Sequence, residues 1–204
     1  MMKETIRRGM DKHVIITLHG TGGTATSLFE LAHFLDPDAT KIGFQGEVNE
    51  NGMSRYFARY PDGSFDLLSL DKATKDLYES LHESLEKYSL KDATVTLIGY
   101  SNGANLAKNL LKEYIDLPLD ALLLFHPSQI TPDKVFKKQA HLDVFMTAGK
   151  MDLYVTESQF MQMETNMLAA SIKVETFIHD QGHQLIQEEL NQAKKFLSTK
   201  VEAI

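Results

Sequence analysis

Gly99-Tyr100-Ser101-Asn102-Gly103 sets a serine between two glycines. The run Thr94-Val95-Thr96-Leu97-Ile98 precedes it, and a segment with helical spacing, Ala104 to Tyr114, follows. A serine on a tight strand-to-helix turn, with glycines that let the two elements crowd together, projects its hydroxyl as a nucleophile. Acyl transfer by Ser101 would need three further parts. A base must take the Oγ proton, a carboxylate must hold that base in one tautomer, and N–H donors must receive the developing oxyanion.

Each part has a candidate. Of the eight histidines, His33 and His82 fall inside helical patterns, and His13 and His141 open strands at the wrong end of a sheet. His183, in the loop Asp180-Gln181-Gly182-His183 after the last strand, is the expected base. Its rivals are His179, which reads as a strand-end surface residue, and His126, which reads as a pocket-lining or structural hydrogen-bonding residue beside Pro127. Asp152 follows a strand and Gly149 and precedes the base, so it is the expected orienting acid; Asp180 reads as a turn-former. The order Ser101, Asp152, His183 is that of an α/β-hydrolase. The oxyanion donors are expected to be the backbone N–H groups of Asn102 and of Thr21, the latter in the loop His19-Gly20-Thr21-Gly22-Gly23-Thr24.

Two other chemistries are weighed and set aside. His179 and His183 are four apart, a metal-pair spacing on a helix, but Gly182 and the preceding strand argue against a helix, so no metal is expected. The Gly-rich loop lacks both the Lys-Ser/Thr of a phosphate loop and the spacing of a dinucleotide loop, so no cofactor is expected either. The absence of cysteine removes disulfides, thiolate ligands and a thiol nucleophile, and fits a reducing compartment.

The elements that must position these residues alternate along the chain. Strands are predicted at 13–18, 40–44, 94–98, 119–125, 142–148 and 172–178. Helices are predicted from Thr26 or Ser27 to Leu35, and over 70–88, 104–114, 156–170 and 183–198, the first with Glu30 at capping-box distance from Ser27. The expected fold is α/β, a mostly parallel sheet with helices on both faces, forming a single domain over 1–204 with little or no cap. Catalytic residues then gather past the carboxyl ends of the strands. The long connection from Gln45 to Phe65 is a candidate pocket wall, and Met53, Tyr56, Phe57, Phe125 and Tyr154 are expected to line a small, mostly apolar pocket. Arg55 and Arg59, on the same connection, read as surface ion-pair members, with contact to an anionic substrate as the alternative.

A net charge of −7 with no block of Lys or Arg argues against nucleic acid or an anionic membrane as partner, and fits a small neutral or cationic substrate more easily. The N-terminus lacks the apolar stretch of a secretory signal, and the longest purely apolar run, Ala121 to Phe125, is too short to span a bilayer, so a cytoplasmic protein is expected.

With Leu18-His19-Gly20-Thr21-Gly22-Gly23, the elbow at Ser101, Asp152 and Gly182-His183 in this order, the chain resembles the small bacterial phospholipase/carboxylesterase group of α/β-hydrolases. Within that group Glu50-Asn51-Gly52-Met53-Ser54-Arg55-Tyr56-Phe57 and Leu124-Phe125-His126-Pro127 look most like the hydroquinone-resistance-associated hydrolases. The resemblance implies a Ser/His/Asp triad, no cofactor, esterase activity on short acyl esters and often a homodimer. Two segments depart from it: Phe44-Gln45-Gly46 stands where a Pro-Arg-Gly-like segment is expected, and Ser128-Gln129 follows Pro127 in place of a more apolar pair. The sequence-based expectation is a serine hydrolase of small carboxylic esters. Thioester hydrolysis by the same machinery, or a non-catalytic module that binds a small aromatic, are the alternatives.

Overall fold

The computed structural model describes residues 1–139 and 141–201; 140 and 202–204, part of the expected domain, lie outside the described residues. Among the described residues the main sheet has seven strands. They are β1 (Lys3–Arg7), β2 (His13–Leu18), β3 (Thr40–Gln45), β6 (Thr94–Tyr100), β7 (Ala121–Phe125), β8 (Asp143–Gly149) and β9 (Lys173–His179), in the order β1-β3-β2-β6-β7-β8-β9. Every neighbouring pair is parallel except β1 with β3. The short strands β4 (Val48–Glu50) and β5 (Met53–Arg55) form a separate hairpin. The helices are α1 (Phe29–Leu35), α2 (Leu67–Lys87), α3 (Asn102–Glu113), α4 (Glu157–Ala169) and α5 (Gln187–Val201).

The central strands are apolar on both faces because helices cover both. Val14, Ile16 and Leu18 of β2 point into one core layer, with Leu70, Leu77 and Leu81 of α2 and Leu106 and Leu110 of α3. Ile15 points to the other face, where Leu31 and Leu35 of α1 meet Phe196 and Leu197 of α5. The alternation repeats in β7, with Leu122 and Leu124 on the first face and Leu123 and Phe125 on the second. Each such buried Leu, Ile or Phe contributes about 1.5–3 kcal/mol of transfer free energy.

Three local expectations need correction. Lys3–Arg7, read only as a charged N-terminus, is an edge strand: it alternates exposed and half-buried residues, and Glu4 reaches back to Tyr88 at 2.8 Å and Lys87 at 2.6 Å. Among the described residues no side chain caps α1, because the Ser27 hydroxyl instead accepts the Thr24 N–H at 2.8 Å in the preceding turn. The last helix begins at Gln187, so His183 sits in the loop before it. A capping box that the sequence reading did not single out closes the start of α4, between Thr156 and Gln159.

Candidate active site

β6 ends at Tyr100 and α3 begins at Asn102, so Ser101 occupies the whole turn. Its φ of 51° and ψ of −111° are costly for a residue with a side chain. The glycines on either side follow from crowding. A Cβ on Gly99 would lie 2.6 Å from the Gly103 carbonyl oxygen, and one on Gly103 would lie 2.2 Å from that of Leu18. The turn is pinned by the Ser101 N–H, which donates to the Phe125 carbonyl at 2.9 Å, and by the Asn105 N–H, which donates to the Ser101 carbonyl at 2.9 Å.

Two loops from the carboxyl ends of β8 and β9 bring their side chains to this turn. His183 Nε2 lies 2.8 Å from Ser101 Oγ, and His183 Nδ1 lies 2.7 Å from Asp152 Oδ2. Asp152 Oδ1 accepts the Tyr154 N–H at 2.8 Å. Burial alone would raise the pKa of Asp152, but hydrogen bonds from Tyr154, His183 and His126 outweigh it and hold the carboxyl below its usual range. The His183 ring packs on Tyr100 and, edge-on, on Tyr154, with centroids 5.7 and 4.8 Å away. Asp180 instead pairs with Lys150 at 2.7 Å on the surface.

Behind the carboxylate lies a buried network that the sequence did not reveal. His126 is wholly buried; its Nδ1 is 3.1 Å from Asp152 Oδ2 and its Nε2 is 3.3 Å from Glu189 Oε1. Glu189 also accepts the Thr147 hydroxyl and, at 3.1 Å, the Ile186 N–H. Burial alone would lower the pKa of His126, but Glu189 first and then Asp152 outweigh it and raise it. His179 ends β9 but is buried, contrary to the surface reading; burial pushes its pKa down, and its Nδ1 accepts the Gln181 N–H at 3.1 Å, which leaves its proton on Nε2. His126, His179 and Glu189, or His126, Asp152 and His183, have the donor types and proximity of a metal site. Hydrogen bonds and ion pairs between the same atoms account for that proximity. Of the two sequence readings of His126, the structure supports the hydrogen-bonding one.

A cavity of about 310 Å³ opens beside Ser101 and is lined by Thr21, Asn102 and His183 among others. Among the described residues neither the Thr21 nor the Asn102 N–H donates to a backbone acceptor. Asn102 is the first residue of α3, where an N–H has no partner within the helix. Met53 and Tyr154 line the cavity as expected, and so does Ser128, but Tyr56, Phe57 and Phe125 do not. Phe57 and Phe125 are fully buried in the two core layers, the former ring-to-ring with Phe65 at 5.7 Å and the latter at the end of β7. Tyr56 is buried as a brace. Its hydroxyl accepts the His19 N–H at 3.0 Å and donates to the Phe44 carbonyl at 2.8 Å, while its N–H donates to Asn102 Oδ1 at 2.8 Å. Sequence reasoning missed Phe65, Tyr100 and Asn105 as lining residues. Asn105 was findable, since it lies one helical turn beyond Ser101.

Arg55 and Arg59 also line this cavity and share one partner, Glu50. Arg55 is buried, contrary to the surface reading, and its Nη1 donates to Thr21 Oγ1 at 2.8 Å. Gln45 lies away from this cavity. Its Oε1 accepts the Ala25 N–H at 2.9 Å, and its Nε2 donates to the Gly46 carbonyl at 3.0 Å.

This architecture has close parallels. MhqD of Bacillus subtilis (strain 168), a protein named as a hydrolase, is 36% identical over 195 residues, covering 96% of this chain and 97% of its own. The crystal structure of a Bacillus cereus carboxylesterase superposes with a TM-score of 0.92 at 33% identity, over 98% of this chain and 95% of that one. A structure of YahD with malic acid gives 0.85 at 29% identity, over 98% of this chain and 100% of that one. Residues 4–201 match the phospholipase/carboxylesterase family profile. With an α/β-hydrolase fold along its length and that match over nearly all of it, the chain belongs to the phospholipase/carboxylesterase family and is a carboxylesterase-type hydrolase.

Proposed function

We propose that the chain hydrolyses small, short-acyl carboxylic esters through an acyl-enzyme formed on Ser101. The observation that carries this is the bridge made by one imidazole: His183 reaches Ser101 Oγ at 2.8 Å with one nitrogen and Asp152 Oδ2 at 2.7 Å with the other. In this reading Ser101 Oγ attacks the ester carbonyl while His183 Nε2 takes its proton. Asp152 fixes the His183 tautomer through Nδ1–H and stabilises the imidazolium. The Thr21 and Asn102 N–H groups receive the oxyanion. The alkoxide then leaves with the proton from His183, and a water deprotonated by the same nitrogen releases the acid.

A cavity of about 310 Å³ is at the small end for ligand sites, which supports a small ester. YahD was determined with malic acid, a molecule of that size class. The same machinery would cleave an acyl thioester. A cytoplasmic location belongs to the proposal; among the described residues no helix is long and apolar enough to cross a membrane.

The test is hydrolysis of p-nitrophenyl esters of increasing acyl length, with Ser101→Ala alongside, together with labelling by a fluorophosphonate. Turnover that falls with chain length and drops by about 10³-fold or more in the variant is expected, with an adduct on Ser101 only in the wild type. A folded protein that neither turns over nor labels would favour the small-aromatic binding module.

A further inference from the structure

The cavity beside Ser101 is lined by two guanidinium groups and, among the described residues, by no carboxylate. Both arginines lean on one acid. Arg55 Nε lies 3.0 Å from Glu50 Oε2, and Arg59 Nε lies 3.1 and 3.2 Å from the two Glu50 oxygens. Two guanidiniums against one carboxylate leave one positive charge uncompensated on the cavity wall. The other acid of the site, Asp152, is engaged by His183, His126 and the Tyr154 N–H. In a chain of net charge −7 this is a local feature, not general basicity.

The two arginines differ in freedom. Arg55, with its side chain 4% exposed, is fixed by the Phe57 carbonyl and by Thr21 Oγ1. Arg59 is 28% exposed, and its Nη1 donates to nothing among the described residues. A second donor is unsatisfied in the same lining: Asn102 Nδ2 is buried and has no partner among the described residues. A purely structural clamp has no use for a second guanidinium without a counter-charge, because desolvating an unpaired charge is costly. A ligand carboxylate would supply that charge, and a planar guanidinium matches it in two-pronged geometry.

We propose that Arg59, backed by Arg55, is a carboxylate subsite, so that the preferred substrate is a small ester carrying a free acid group. The inference rests on the serine esterase reading above. The carboxylate is a spectator, present on either the acyl or the alcohol side of the ester.

The experiment compares kcat/KM for two pairs of esters: mono-p-nitrophenyl succinate against p-nitrophenyl butyrate, and 4-acetoxybenzoate against phenyl acetate. The first pair carries its charge on the acyl side and the second on the alcohol side. Wild type is expected to favour the charged member of one pair. That ratio should fall about 10- to 100-fold in Arg59→Ala and less in Arg59→Lys. It should also shrink in wild type as NaCl is raised to about 0.5 M, since a charge-based preference is screened. Hydrolysis of the neutral esters with no preference in either pair would overturn the subsite and leave the esterase reading standing. A ratio unchanged in Arg59→Ala and unmoved by salt would overturn it too. Should Arg59→Ala not fold, Arg59→Gln and the salt dependence of the wild-type ratio decide. No hydrolysis of any of the four esters by folded wild type would overturn both.

Discussion

His126 Nδ1 lies 3.1 Å from Asp152 Oδ2, the oxygen that His183 Nδ1 meets at 2.7 Å. One carboxylate oxygen thus serves two imidazoles, and the second, with Nε2 at 3.3 Å from Glu189, bridges two buried acids. A protonated His126 donates to both and offsets their charges in a place water does not reach.

The raised pKa of His126 gives this bridge a pH signature. Its stabilising contribution is fully present below the ordinary value of 6.5 and is lost as pH rises through the higher folded-state value. At about pH 6, His126→Gln should be less stable than wild type by about 3 kcal/mol, because two buried acids lose their cation. Denaturant melts from about pH 6 to about pH 9 should show that gap narrowing. A gap that stays constant across the range would mean that His126 does not carry charge.

Backbone strain at Ser101 is separable from the chemistry proposed for it. Ser101→Gly removes the side chain that makes a φ of 51° and ψ of −111° costly, whereas Ser101→Ala retains the Cβ. The glycine variant should be more stable than the alanine variant by about 1 kcal/mol in urea titrations. Equal midpoints and slopes would show no strain stored there.

Gly103 tolerates no side chain, since a Cβ would meet the Leu18 carbonyl oxygen at 2.2 Å and that of His19 at 2.7 Å. Both obstacles are backbone, so α3 would have to move off the sheet. Gly103→Ala is expected to lose about 3 kcal/mol, read as a lower melting temperature and poor soluble yield. A wild-type melting curve would contradict the packing described for the elbow.

Tyr56→Phe deletes one hydroxyl that satisfies both the His19 N–H and the Phe44 carbonyl. The buried groups left behind cost about 1–3 kcal/mol. Because His19 leads into the loop of Thr21, kcat should fall more than KM rises. A change confined to KM would make Tyr56 part of the substrate pocket after all.

Lys108 is buried, and among the described residues its hydrogen-bond partners are the Ser128 carbonyl and Met163 Sδ. Burial, then repulsion from Lys112, pushes its pKa well below 10.5, so the unfolded chain binds more protons than the folded one and stability rises with pH. Lys108→Met should be more stable at neutral pH by about 1 kcal/mol and should flatten that rise. An unchanged pH slope would mean that the buried amine keeps its proton.

The sheet was legible because its parallel strands are buried on both faces and therefore read as apolar runs, as in β2 and β7. The spacing around Ser101, Asp152 and His183 was legible because strand ends in such a sheet share one rim. β1 was not, since an edge strand of sequence KETIR carries its charges on the solvent side. The β4–β5 hairpin left a usable signal, Asn51-Gly52 at its turn, where both residues have positive φ. Tyr56 and Phe57 were misread because an irregular segment has no period to separate the side of the core from the side of the cavity. The role of His126 was hidden for another reason: its partners come from the loop after β8 and from α5, and only the closed sheet brings them together.

The connection between β3 and α2 holds both the residues that face the cavity and those that steady the reactive loops. Met53, Arg59 and Phe65 look into the cavity, while Arg55 grips Thr21 and Tyr56 grips Asn102. Substrate range and turnover are therefore not independent modules in this chain. Grafting the whole connection from a relative would exchange the cavity wall and loosen the Thr21 and Asn102 contacts in one stroke, whereas changes at Met53, Arg59 and Phe65 alone would retune what enters and leave Arg55 and Tyr56 in their bracing contacts. Divergence of specificity on this scaffold has a narrow physical corridor, and it runs through the wall of the cavity and not through its foundations.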